Sequence, residues 1–254
     1  MIVSAHLGDV IMIAADKRAM NYNVETNELT VSHNNENKIQ LWCRGAVAGT
    51  GDVVFINRIM KRFADISIEE QKIKQIDIIA EEINRRLYEG LPIDFINNNT
   101  IVFSIFNGVN SLLYSIPISA FLEKQLSNNY LNKVEPGTVE VCCLHTPLDL
   151  SYLKNFQSNL RGLNSFDSTV QFLICYVEQL KQIFAMQASI DSSVTSAFDL
   201  YLQSCQTGQW LALHIENPLL NSSIVKLLYY SYKIRKKLEI THRLSRSTIL
   251  YAYV

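Results

Sequence analysis

Apolar residues come in short β-branched blocks over the first fifty positions and switch to helical spacing after that. Residues 2–6 and 10–15 form two such blocks around Leu7, Gly8 and Asp9, which predicts a hairpin that starts the chain inside a sheet. Residues 21–37 are polar and asparagine-rich around a short strand over 28–32. Pairing resumes over 38–43 and 45–48, and Gly49, Thr50, Gly51 and Asp52 make a tight turn. Val53, Ile56, Ile59, Met60 and Phe63 then follow at helical spacing, with Asp52 placed to cap the helix. A second helix over 73–88 puts Ile76, Ile79, Ala80, Ile83 and Leu87 on one face and stops at Gly90 and Pro92.

Strands return at 100–106 and 111–116, joined by a turn at 107–110, and again at 138–144. A long helix over 167–186 carries Val170, Leu173, Ile174, Val177, Leu180, Ile183 and Phe184. Strands over 197–203 and 209–215 follow, and 247–254 has the pattern of a terminal strand. Strands and helices thus come in separate blocks, which suits sheets stacked face to face with helices outside; alternating units would have predicted a parallel sheet.

Composition narrows the function classes. The 23 basic and 24 acidic side chains nearly cancel, so bulk charge points to neither nucleic acid nor an anionic membrane. No basic region precedes an apolar stretch at the start, and no run of about 20 apolar residues occurs, so neither a signal peptide nor a membrane span is expected. The five cysteines lack ligand-like spacing, and the adjacent Cys142 and Cys143 would point to opposite faces of a strand. They read as reduced core thiols, Cys43 included, and imply the cytoplasm. His6, His33, His145, His214 and His242 are scattered, so no metal or other cofactor is expected. Gly49 and Gly51 lack the lysine that a phosphate-binding loop needs after its last glycine.

Three charged residues carry the chemistry. Asp16 ends a run of apolar residues that carries it toward the interior, and Arg18, two residues on, leaves an extended chain on the same face. A buried carboxylate needs a cation, and Lys38 at the start of the next strong strand supplies one. A structural ion pair at a strand end accounts for these residues as well as a catalytic one does.

These residues also carry a family resemblance. The run from Ile2, Val3 and Ser4 through Ala14, Ala15, Asp16, Lys17 and Arg18 resembles the first hairpin of proteasome β subunits and of the bacterial peptidase HslV. Lys38 with Ile39, the sequence Ala48, Gly49, Thr50, Gly51, Asp52, and the late Asp191 before Leu200 and Tyr201 are similar to further marks of that family. The resemblance covers residues 1 to about 60 firmly and the element order to about 216. It implies an α+β fold, a four-layer αββα sandwich of two mainly antiparallel sheets, the N-terminal-nucleophile (Ntn) hydrolase architecture. It also implies assembly into a homo-oligomeric ring or spiral, and a peptide or amide substrate if the protein is active. In threonine-peptidase chemistry the first residue's hydroxyl attacks an amide and its own α-amine handles the proton. Lys38 would then lower the pKa around the nucleophile, Asp16 would hold Lys38, and the Gly49 amide would stabilise an oxyanion. Asp191 would help position the amine, and Arg18 would support the loop.

The pattern departs from the family at its chemical centre. Laid on the family's triplet, Met1 falls on the second position and no threonine is in view; a one-residue deletion at Gly8 would put Met1 first, where a thioether has no proton to give. The family's glycine-serine turn is replaced by Cys142, Cys143, Leu144 and His145, and the residues around Asp191 read Ser192, Ser193, Val194, Thr195 and Ser196. Two readings follow: a non-catalytic self-assembling homologue, or a threonine-type peptidase or amidase whose Thr, Ser or Cys is exposed in a differently started or processed form. The expected division is a domain over 1–216 and a basic, amphipathic extension over 217–254. Lys226, Lys233, Arg235, Lys236 and Lys237 suit that extension to docking on its own domain or a neighbouring subunit, an acidic partner or anionic lipid.

Overall fold

The computed structural model describes residues 1–23, 26, 28–67, 75–123, 132–143, 151–216 and 251–253. Its first strands, β1 (Ile2–His6) and β2 (Val10–Asp16), pair antiparallel with Ile2 opposite Ala15. The turn closes through the Leu7 N–H to the Val10 carbonyl at 2.8 Å, and Gly8 takes a φ of +93° that side chains with a Cβ resist. Asp9 beside it accepts the backbone N–H groups of Leu163 and Asn164, both at 2.8 Å, which fastens the hairpin tip to a distant 3₁₀ turn, Leu163–Ser165.

This hairpin sits in a six-stranded sheet. Beside β2 lies β10 (Phe198–Ser204), then β11 (Trp210–Ile215) and, parallel to it, β12 (Tyr251–Tyr253); beside β1 lies β9 (Thr138–Cys142). A second sheet of four antiparallel strands runs β5 (Ile39–Trp42), β6 (Gly45–Thr50), β7 (Thr100–Phe106), β8 (Ser111–Pro117). A separate ribbon pairs β3 (Ala19–Asn23) with β4 (Glu28–His33).

Three hydrophobic clusters define four layers. Ile2, Ile11, Ile13 and Ala15 meet Ala46, Ala48, Val102 and Leu113 between the two sheets. Val3, Ala5, Met12 and Ala14, on the other face of the same hairpin, pack against α5 (Ser151–Ser158) and α6 (Thr169–Ile190). Val47, Ile101 and Phe103 pack outward against α1 (Val53–Ala64) and α2 (Gln75–Tyr88). Strand alternation alone sorts neighbouring residues into different cores, and every residue of β1 and β2 is buried because the hairpin lies in the middle of the stack. The fold is the expected four-layer sandwich of mainly antiparallel sheets between helices.

The helices start where the sequence caps them. The Asp52 carboxylate accepts the Phe55 N–H at 2.7 Å, a cap that contributes about 1 kcal/mol. Ser168 does the same for α6 through the Gln171 N–H at 3.2 Å. Gly49 is required by close approach: a Cβ there would stand 2.5 Å from Cδ1 of Ile56, so β6 and α1 touch through a missing side chain.

Several expectations are corrected. β3 is a strand where the sequence read as polar connection, and α3 (Ile93–Asn97) and α4 (Ile118–Glu123) are helices too short to show a period. The turn expected at Gly49 begins later, since Gly49 and Thr50 still belong to β6. Cys43 lies past the end of β5 and is exposed, so it is not a core thiol; Cys205 is the buried one among the described cysteines. The predicted face of α2 is rotated: Ile78, Ile79, Glu82 and Ile83 are buried and Leu87 is exposed. The basic segment 223–247 lies outside the described residues, as do residues 144–150.

Candidate functional site

β2 delivers Asp16 to the end of the central hairpin with none of its surface exposed. The Asp16 N–H donates to the Met1 carbonyl at 3.1 Å, which folds the Met1 α-amine back against the Asp16 side chain. Oδ1 of Asp16 takes that amine in a very short contact and also accepts Lys38 Nζ at 2.7 Å. Oδ2 accepts the Arg18 N–H at 2.8 Å and the Thr195 N–H at 3.4 Å. Four donors thus converge on one buried carboxylate, which is the condition for keeping it ionised in a low-dielectric place.

The electrostatics follow from two cations on one oxygen. Burial alone would raise the Asp16 carboxyl, but the Met1 ammonium and Lys38 outweigh it and hold it below its ordinary value. Burial pushes the Met1 amine down, and Lys38 adds to the push against the pull of Asp16. With all three ionised the cluster has one positive charge in excess. The amine, 1% exposed, is therefore the group driven toward its neutral form.

The other expected residues surround this core. Register continued one step from Ile39 opposite Ala48 places Lys38 across from Gly49, so the glycine and the lysine share the same end of the second sheet. Arg18 bridges outward, with Nη1 to the Ser192 carbonyl at 2.6 Å and Nε to Oδ1 of Asn34 at 2.8 Å. Asp191 ends α6 and shapes the loop after it: its Oδ1 accepts the Ser193 N–H at 2.8 Å and hydroxyl at 2.6 Å, and its Oδ2 accepts Gln187 Nε2 at 3.3 Å. Asp191 thus sits one loop away from the Met1 amine, whose carboxylate is Asp16.

Sequence reading missed three participants. Thr195 couples the two halves of the site: its hydroxyl accepts the Lys17 N–H at 3.0 Å and donates to the Ala197 carbonyl at 2.8 Å. Lys17, which reads as a surface residue, is buried and pairs with Oδ2 of Asp199 at 2.8 Å, while Asp199 Oδ1 meets His214 Nδ1 at 2.7 Å. Cys143 follows Cys142, which faces Ile2, and so stands level with Met1; burial raises its thiol, the Met1 amine opposes that and Asp191 adds to it. The antiparallel register was the available signal for Cys143. Nothing in the local sequence marks Lys17. Met1's side chain belongs to the helix-side core and lines a pocket with Tyr152, Leu153, Ile183, Met186, Gln187 and Ile190. Among the described residues no cluster of His, Cys, Asp and Glu could hold a metal ion, and no helix is long and apolar enough to cross a membrane.

No protein-family model matches the chain, and no curated protein sequence matches it. Solved structures do. A Gly-1 mutant of Anbu from Hyphomicrobium sp. strain MC1 aligns over 98% of this chain and 99% of its own, with a TM-score of 0.55 at 14% identity. The chain has the fold of Anbu. Anbu from Yersinia bercovieri, described as an ancestral beta-subunit, gives 0.55 at 11% identity over the same 98% and 99%. Thiobacillus denitrificans BPH in complex with epoxomicin gives 0.50 at 11% identity, over 80% of this chain and 97% of that one. These findings correct the expected kinship with proteasome β subunits and HslV: the likeness found is to Anbu and BPH, it is one of proteasome-like fold, and no sequence match accompanies it.

Proposed function

We propose that this chain is a non-catalytic, self-assembling cytoplasmic protein on the proteasome-like fold, in which the charge network around Asp16 is structural. The observation that carries this reading is the occupancy of Asp16. Both its oxygens are filled by donors that hold the chain's own backbone and Lys38 in place. The α-amine at the centre belongs to Met1, whose thioether has no proton to lose and whose side chain packs into the helix-side core. A first residue with that chemistry can offer a buried base but no nucleophilic hydroxyl or thiol. A homo-oligomer, as a ring or spiral, is the assembly this reading includes.

A second reading is favoured by the fold shared with the epoxomicin-bound BPH. A Thr, Ser or Cys exposed in a differently started or processed form would make the protein a threonine-type peptidase or amidase. Lys38 would then lower the nucleophile's pKa, the Gly49 amide would face the oxyanion and Asp191 would help position the amine.

One experiment separates the two. Protein isolated from its native cells is incubated with epoxomicin, and the intact mass and N-terminal peptide are read by mass spectrometry. The structural reading expects Met1 at the terminus and no adduct. A covalent adduct, or a leading Thr, Ser or Cys, overturns it.

A further inference from the structure

The outer end of the α1–α2 pair is more apolar than a solvent-facing surface needs to be. Val53 and Val54 open α1, Leu87 and Tyr88 close α2, and Ile93 begins α3. Arg86 Nη2 lies 3.1 Å from Oδ1 of Asp52, so the last turn of α2 stands beside the first turn of α1 and the five residues occupy one corner. Tyr88 is 94% exposed and the other four 39–44%. Five of the eleven exposed large hydrophobics among the described residues gather here, which isolated surface residues do not do.

The charges around the corner say what kind of partner fits. Glu89 accepts Arg58 Nη1 at 2.7 Å, Arg86 Nη1 at 2.6 Å and Arg85 Nε at 3.3 Å. Glu82 accepts Arg58 at 3.2 Å, and Asp52 takes Arg86. Three arginines and three carboxylates cancel, so the rim gives no net attraction to an acidic or a basic partner. A rim of both signs around an apolar centre is self-complementary under a two-fold axis, where each copy sets its arginines against the other's acids. The apolar centre offers on the order of 400 Å² per copy, about half of the ~800 Å² that each side of a stable interface buries, and the rim supplies the remainder. Tyrosine and arginine are the residue types on which such interfaces concentrate their energy.

We infer that this corner is an isologous interface with a second copy of this chain, anchored by Tyr88. The inference rests on the reading of the protein as self-assembling and adds the surface through which it pairs.

Sedimentation equilibrium of the full chain tests it, comparing the wild type with Tyr88→Glu, Val54→Glu and Tyr88→Phe. These residues are exposed, so circular dichroism and melting are expected to match the wild type. The wild type is expected to associate, each glutamate variant to raise the dissociation constant at least tenfold, and Tyr88→Phe to stay near the wild type. A Tyr88→Cys variant in a Cys43→Ser background is expected to cross-link between copies with a short bifunctional maleimide. If the wild type associates and both glutamate variants associate equally well, the corner is not the interface although the assembly reading stands. A wild type that sediments as a monomer removes both. Cross-linking of Tyr88→Cys to the same chain's residues 217–250, or pairing only with a different protein, would also overturn the inference.

Discussion

Lys38 Nζ lies 2.7 Å from Oδ1 of Asp16, and the Met1 α-amine rests on the same oxygen. Removing the carboxylate therefore strands two cations at once. Asp16→Ala is expected to cost about 3–5 kcal/mol, the range for breaking a buried pair from one side. Adding Lys38→Met to it should return part of that loss, since one of the two stranded charges goes. Urea unfolding of the two single variants and the double variant measures the coupling; additive losses would show that the pair does not interact energetically.

The pH dependence has a defined sign. Asp16 is held below its ordinary 3.8, so the folded state binds fewer protons than the unfolded chain. Its stabilisation is complete above pH 3.8 and is lost as pH falls through the folded-state value. The Met1 amine is held below its ordinary 8.0, so the penalty for burying its charge is present at low pH and relieved as pH rises to 8.0. Both groups make stability rise with pH. Urea midpoints between pH 3 and pH 8.5 should climb in the wild type, and Asp16→Asn should flatten the acid limb.

Gly49 and Ile56 should be coupled by space. A Cβ at position 49 would meet two carbons of Ile56 at 2.5 and 2.7 Å, so Gly49→Ala is expected to cost about 1–3 kcal/mol through overpacking. Ile56→Val removes Cδ1 and should make the second substitution cheaper. Thermal melts of the four proteins in the cycle decide it; if Gly49→Ala melts with the wild type, α1 does not rest on β6 as described.

Cysteine chemistry should divide by position. Cys43 is exposed, whereas burial pushes Cys142 up to about 12 and so keeps it a thiol at neutral pH. Iodoacetamide at pH 7.5 is expected to label Cys43 within minutes and to leave Cys142 unlabelled until denaturant is added. Peptide mapping reads the order, and early labelling of Cys142 would place the β1–β9 edge in solvent.

How much of this could be read from the chain depends on how local each cause is. The opening hairpin was legible because its alternation, its glycine turn and its burial on both faces all act within fifteen residues. Asp16 with Lys38 was legible for a different reason: a carboxylate at the end of an apolar run must find a cation, and Lys38 opens the next strong strand. Lys17 was not, because its partner Asp199 lies 182 residues away and only the pairing of β2 with β10 brings them together. The phase of α2 was misread because Glu82 looks like a solvent residue until Arg58 from the neighbouring helix covers its charge. Short helices such as α4 have too few turns for any period to emerge, and tertiary packing decides them.

The β3–β4 ribbon contributes to none of the three clusters, and its outer strand faces solvent along its whole length. Its base is fixed by Arg18 to Asn34 and by the Glu36 N–H to the Lys17 carbonyl, while its far end is thermodynamically uncoupled from both sheets. That makes the tip a port: an affinity handle or fluorescent reporter spliced there would travel with the molecule without being felt by it.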